Sequence, residues 1–200
     1  MRLARLLHDL MPDEPEVTGL LALALATHAR RDARVDEQGE LVLLPAQDRS
    51  RWHGQEIAEA DRLLSHAVGL HRPGPYQVQA AIACLHCLAA TAAETDWPQN
   101  VALYELLERM TPSPVVRVNR AIAVAEAESP QAGLAILADT RGPLTERWHL
   151  YWSAVAELSW RAGDTAAARA AFDSALDCSP NDSDRQFLLR RRGELADNGR

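Results

Sequence analysis

Two hundred residues, 47% hydrophobic and 24% charged with a formal net charge of -7, are enough for one sizeable core in a single domain or one short stacked array. That charge excludes bulk electrostatic attraction to nucleic acid or an anionic membrane, and the longest apolar run, 20–26, falls far short of the ~18 residues of a membrane span. Abundant alanine and leucine with 5% aromatic residues favour tightly packed helices over sheet.

A first helix is expected over about 2–10, stopped by Pro12, and Asp13, Glu14 and Pro15 supply the acidic and first-turn residues of a second. That second helix should run to about 34. Leu20 to Ala26 is apolar nearly all round, which predicts a central position. The alternating stretch Val35-Asp36-Glu37-Gln38-Gly39-Glu40-Leu41-Val42-Leu43-Leu44 breaks the helical period and predicts a small hairpin or an irregular insertion, spanning with its polar continuation about 35–53. Further helices are expected over about 54–71 and 76–93, the latter started by Pro75. Asp96 then caps the next, with Pro98 in its first turn. Helices at about 115–128 and 130–139 follow, then a pair inside 149–182 whose second member spans 165–178, and a last helix at about 184–195.

Trp152, Gly163, Asp164, Ala168, Phe172, Ala175 and Pro180 stand at the spacing of a tetratricopeptide helical hairpin, a repeat of about 34 residues that packs small residues of one helix against bulky ones of its mate. Degenerate copies occur upstream. Ala60, Leu64 and Ala67 repeat the second-helix spacing, Tyr104, Leu107 and Pro112 take the phenylalanine, alanine and proline places, and Ala132 and Ile136 match Ala168 and Phe172. The expected fold is all-α, a single array (1–200) of stacked helical hairpins in an α-α superhelix, clearest at 149–182. The helix at 184–195 is its cap, with Arg190, Arg191 and Arg192 on a solvated face.

The three cysteines, Cys84, Cys87 and Cys178, are an odd number, and the charged start Met1-Arg2-Leu3-Ala4-Arg5 does not make a secretory leader, so a reduced, cytoplasmic setting is expected. Cys84 and Cys87 lack the further ligands of a tetrahedral zinc site and fit better as small apolar fillers, so no metal and no cofactor is expected. No glycine-rich phosphate loop, nucleophile elbow or paired-histidine motif is present. The chain therefore reads as a non-enzyme.

Leu3-Ala4-Arg5-Leu6-Leu7, Met11 to Val17, Gly19 to Leu23, Ala29-Arg30-Arg31, Ala33 to Asp36, Gly39 to Leu44 and Gln47-Asp48-Arg49-Ser50-Arg51-Trp52 together resemble the C-terminal tetratricopeptide-like extension of some extracytoplasmic-function sigma factors. The likeness continues through Gly74 to Ala83, Thr95-Asp96-Trp97, Ser113 to Val116 and Asn119 to Glu126, nearly the whole chain. The two helical domains with which such factors bind RNA polymerase and read promoter DNA are absent from this sequence. The resemblance implies regulation of transcription initiation, with sigma-factor domains, RNA polymerase or another protein as partner, and no direct nucleic-acid binding by this chain.

Two surfaces could carry recognition. In the loop from Asp48 to Trp52, Asp48 is available to pair with Arg30, Arg31 or Arg49 while Trp52 anchors the loop. Its polar residues either fasten the insertion to the repeats or, with the helix carrying Gln79, build a pocket for a small molecule. Tyr76, Gln79, His86, Asp96, Trp97, Asn119 and Arg120 come from first helices of adjacent hairpins and their connections. They fit equally a concave peptide groove, in which Asn119 bonds a backbone and Arg120 clamps a carboxylate, or a network of bonds between repeats. Homodimerisation through the insertion or a terminal helix is a third possibility.

Overall fold

A computed structural model describes residues 1–37, 39–178 and 180–197, with the side chains of 196 and 197 left aside. Among the described residues the chain is all-helical, in ten α-helices: α1 (Arg2–Leu10), α2 (Pro15–His28), α3 (Gly54–Gly69), α4 (Pro75–Leu88), α5 (Trp97–Met110), α6 (Pro114–Ala127), α7 (Pro130–Thr140), α8 (His149–Arg161), α9 (Thr165–Asp177) and α10 (Asp182–Asp197). They form two compact units, 1–112 and 113–200.

The helix starts follow from local chemistry. Proline opens α2, α4, α6 and α7, where its missing N–H costs no helical bond. The side chains of Asp96, Ser113, Ser129 and Asp164 accept from the main-chain N–H of Gln99, Val115, Ala132 and Ala167 at 2.9, 3.2, 3.2 and 2.9 Å, capping α5, α6, α7 and α9.

In the first unit α2 is central and packs on α1, α3 and α4, while α5 packs on α4. Its core joins Leu21, Ala22, Leu25, Ala26 and Ala29 of α2 to Ile57 and Ala60 of α3 and to Ala80, Cys84 and Cys87 of α4. The α2–α4 approach depends on Gly19, where a Cβ would lie 2.8 Å from the Gln77 backbone nitrogen and 3.0 Å from its Cα. One turn earlier, the Glu16 carboxylate accepts the main-chain N–H of Tyr76 (2.9 Å) and Gln77 (3.2 Å) at the start of α4. Gly19→Ala is expected to destabilise the chain by about 1–3 kcal/mol, because backbone cannot yield as a flexible side chain can. Urea unfolding of Gly19→Ala beside Gly54→Ala, whose Cβ meets nothing within 4 Å, checks this. Equal midpoints would refute the close contact.

In the second unit successive helices pack as stacked hairpins: α6 on α7, α7 on α8, α8 on α9 and α9 on α10, with α8 also touching α6. One core layer gathers Val118, Ala121 and Ala125 with Leu137, Tyr151 and Leu158, and a second gathers Ala156, Ala168, Ala171, Phe172 and Ala175 with Leu188 and Leu195.

Several boundaries differ from the sequence expectation. The second helix ends at His28, not near 34, because the Ala29 carbonyl accepts the N–H of His53 (2.9 Å) and Arg31–Ala33 forms a separate 3-10 turn. The helix expected to reach 93 ends at Leu88, where Arg49 takes the carbonyls of His86 and Ala89. Among the described residues the alternating stretch makes one isolated antiparallel bridge, Val35 to Leu41, so it is an irregular insertion rather than paired strands. Its turn uses Gly39 at φ 80° and the Asp36 carboxylate, which accepts from the Glu40 N–H at 2.8 Å; Gln38 lies outside the described residues. On α10, Arg190 is exposed as expected of a cap face, but Arg191 makes a two-pronged pair with Glu157 (2.7 and 2.7 Å) and lies 4.3 Å from the Trp160 ring, and Arg192 reaches Asp173 at 2.6 Å.

Candidate functional site

Within the first unit, four segments bring polar and aromatic groups together: the end of α2, the insertion, the end of α4 and the start of α5. The insertion is aimed by its own local bonds. Asp48 accepts from the Ser50 N–H (2.9 Å) and hydroxyl (2.7 Å), fixing the 3-10 turn Arg49–Arg51. Arg49 then points inward. One of its terminal nitrogens donates to the His86 and Ala89 carbonyls, both at 2.8 Å, and its guanidinium carbon lies 4.3 Å from the centre of the Trp52 ring. Trp52 is buried against α2 and α3, and the His53-to-Ala29 bond closes the insertion onto α2.

Arg30 approaches the same indole, its guanidinium carbon 5.9 Å from the ring centre. Its guanidinium makes no hydrogen bond or ion pair with any described residue, while its main-chain carbonyl accepts from the Ala33 N–H at 3.1 Å. Burial lowers its affinity for a proton; the Cys87 sulfur opposes that shift, and the neighbouring Arg34 and Arg49 charges deepen it. Arg34 donates to the Thr27 carbonyl at 3.1 Å. At the indole, three buried donors have no acceptor among the described residues: the Arg30 Nε, the second terminal nitrogen of Arg49 and the Trp52 Nε1. The buried acceptors Gln47 Oε1 and Asn100 Oδ1 likewise have no partner.

His86 lies beside these charges. Its ring meets Trp97 edge-on at 5.3 Å, and its Nε2 is 3.2 Å from the amide nitrogen of fully buried Asn100. With that amide donating, Nε2 accepts and the imidazole proton sits on Nδ1. Burial, then Arg30 and Arg49, push the His86 pKa down to about 4, so the ring is neutral at pH 7. The Cys87 thiol donates to the Ala26 carbonyl at 3.5 Å, and burial raises both it and Cys84, the latter to about 12. Both sulfurs stay protonated and are poor nucleophiles. No three His, Cys, Asp or Glu side chains gather as metal ligands among the described residues.

Arg31, adjacent in sequence to Arg30, goes elsewhere. Its guanidinium bonds both Glu56 oxygens (3.2 and 3.0 Å), the Nδ1 of His28 (2.9 Å) and the Nδ1 of His53 (3.2 Å). Since an arginine only donates, His53 Nδ1 accepts and its Nε2–H donates to Asp32 at 2.6 Å. This chain of charges ties the end of α2 to the start of α3.

Within the first unit the structure therefore joins Arg30, Arg49, Trp52, His86 and Trp97, and it gives the other candidates of that unit different partners. Asp48 pairs with Ser50, not with Arg30, Arg31 or Arg49. Asp96 is exposed and caps α5. Tyr76 is exposed, and the Gln79 amide bonds the Pro75 carbonyl of its own helix at 3.2 Å, whereas neighbouring Gln77 is the buried one. Asn119, exposed, and Arg120, partly buried, lie on α6 in the second unit. Asn100, Arg34, Glu56 and His53 complete the two clusters and were not singled out by sequence. Asn100 carried a signal, since it follows Trp97 by three and so shares its helical face.

Comparison with known proteins adds the following. Residues 1–68 match the model of a family of unknown function, DUF6596, which takes in Arg30, Arg49 and Trp52 and stops before His86. No solved structure matches the chain. An uncharacterized protein of Rhizobium meliloti (strain 1021) is 43% identical over 199 residues, covering 98% of this chain and 46% of that protein, so the chain spans about half the length of the curated relative it matches.

Proposed function

We infer that this chain is a regulatory protein-interaction domain of an extracytoplasmic-function-type sigma factor, working in the cytoplasm without enzymatic chemistry. It modulates transcription initiation by binding the promoter-reading sigma domains, with RNA polymerase or another protein as further partners. The observation that carries this reading is an apolar stripe on α1. Leu3, Leu6, Leu7 and Leu10 recur at the i, i+3, i+4, i+7 spacing and are 80%, 52%, 37% and 72% exposed. Ala4, on another side of the helix, packs on the core, and Arg5 holds α1 to Glu59 of α3 through bonds of 2.5 and 2.7 Å. A helix fastened in this way with leucines outward is built to be covered by a second apolar surface.

The sigma-type resemblance names that surface as the apolar face of the helical sigma domains, and the relative supports it by carrying more than half of its length outside the match. The test is in vitro transcription by the full-length sigma protein with core RNA polymerase, comparing wild type, Leu3→Glu/Leu10→Glu and a version lacking the domain. The double substitution should shift promoter output in the same direction as the deletion. Unchanged output in both variants would defeat the regulatory reading.

A further inference from the structure

We propose that Arg30, Arg49 and Trp52 form a binding site for a ligand that carries an oxyanion, a carboxylate or a phosphate, held between the two guanidinium groups beside the indole. This site goes beyond the interaction surface on α1 and shares no residue with it.

The first argument is charge. The chain holds 28 acidic residues against 21 basic ones, and several arginines that pack against its helices meet an acid there: Arg5 with Glu59, Arg31 with Glu56, Arg161 with Glu126 and Arg191 with Glu157. Arg30 and Arg49, packed on the Trp52 indole, do not. No carboxylate of the described residues pairs with either, although Arg30 is enclosed enough to lose solvation and feels Arg34 and Arg49 as like charges. Both are half-buried, and a cation partly withdrawn from water without a countercharge costs the fold stability. A contact 5.9 Å from an indole centre, at the outer edge of cation–π range, offsets little of that cost.

The second argument is hydrogen bonding. The three orphaned groups at the indole are all donors, two of them on cations. A water molecule would bring donors of its own, whereas the ionised oxygens of a carboxylate or phosphate bring only lone pairs and a charge of the missing sign. Arg49 is preset for this role: one terminal nitrogen is committed to the α4 carbonyls, which fixes the plane of the fork and leaves the other for a ligand.

The test uses the 200-residue chain with sodium phosphate or sodium acetate as probe, each against sodium chloride at equal ionic strength. Thermal unfolding should show a Tm rise of about 3 °C or more at ten times the dissociation constant, with calorimetric titration confirming one site. A response to phosphate alone assigns a phosphate ligand, and a response to acetate assigns a carboxylate. Because the Arg30 guanidinium makes no hydrogen bond or ion pair with the described residues, Arg30→Met should melt no lower than wild type in chloride and should lose the anion response. No response to either anion, an equal response in Arg30→Met, or a lower Tm of Arg30→Met in chloride would each overturn the proposal.

Discussion

Phe172→Ala should lower the stability of the second unit by about 3–5 kcal/mol, the upper range for a core deletion. Phe172 is fully buried on α9 in a core layer with Ala156, Ala168, Ala171 and Ala175 and with Leu188 and Leu195 of α10, against which Trp152, Val155, Trp160, Leu176 and Phe187 pack. The four alanines have no rotamers with which to fill a hole, and the larger side chains sit on helices that cannot easily close over it, so much of the cavity should persist. A domain of this size has about 5–15 kcal/mol to lose. Phe172→Leu, which leaves a smaller void, should cost clearly less. Urea unfolding followed by circular dichroism measures both. A loss below about 1 kcal/mol for Phe172→Ala would mean that α9 does not seat on α8 as described.

Phe172 also shows why this hairpin was legible. Its register rests on short-range requirements that sequence displays directly: Asp164 caps α9, Gly163 takes φ 86°, Ala168 and Ala175 vanish into the helix contact, and Pro180 is buried past the helix end. Each is met within a few residues or by a residue type with few other uses. The helix after Pro75 was misjudged at its end for the opposite reason. Ala89 to Ala93 is good helix-forming sequence, and what stops the helix is a guanidinium thirty-seven residues earlier in the chain, bonding His86 O. The loop from 48 to 52 was recognisable as dense, yet its pairings were not. Asp48 satisfies itself on Ser50, Arg31 finds Glu56, and Arg30 one residue away faces the indole. Two adjacent arginines leaving a helix end diverge according to which neighbour the tertiary fold delivers, and composition says nothing of that.

Acid should weaken the first unit well before its carboxylates titrate, and His86 is the cause. Its pKa stands at about 4 in the folded chain, below the ordinary imidazole value of about 6.5, so the native state binds fewer protons than the unfolded one between those values. Stability then rises with pH through this window and falls as pH drops from about 6.5 towards 4. The full loss is about 3 kcal/mol, with about 2 kcal/mol of it gone by pH 5. Asp32, Asp48, Glu56 and Glu59, all held below their ordinary values by hydrogen bonds or nearby cations, add their losses only in the lower range where carboxylates protonate. The interval from pH 7 to 5 lies above that range, and the difference between two proteins reads the His86 contribution. Unfolding midpoints across it should fall more steeply in the wild type than in His86→Phe, which keeps a ring against Trp97 but has nothing to protonate at that position. The same fall in both proteins would show that the ring is not enclosed beside Arg30 and Arg49. A steeper fall in the wild type would show that an imidazole at the end of α4 is kept neutral by burial and by two arginine charges that no carboxylate of the described residues pairs with.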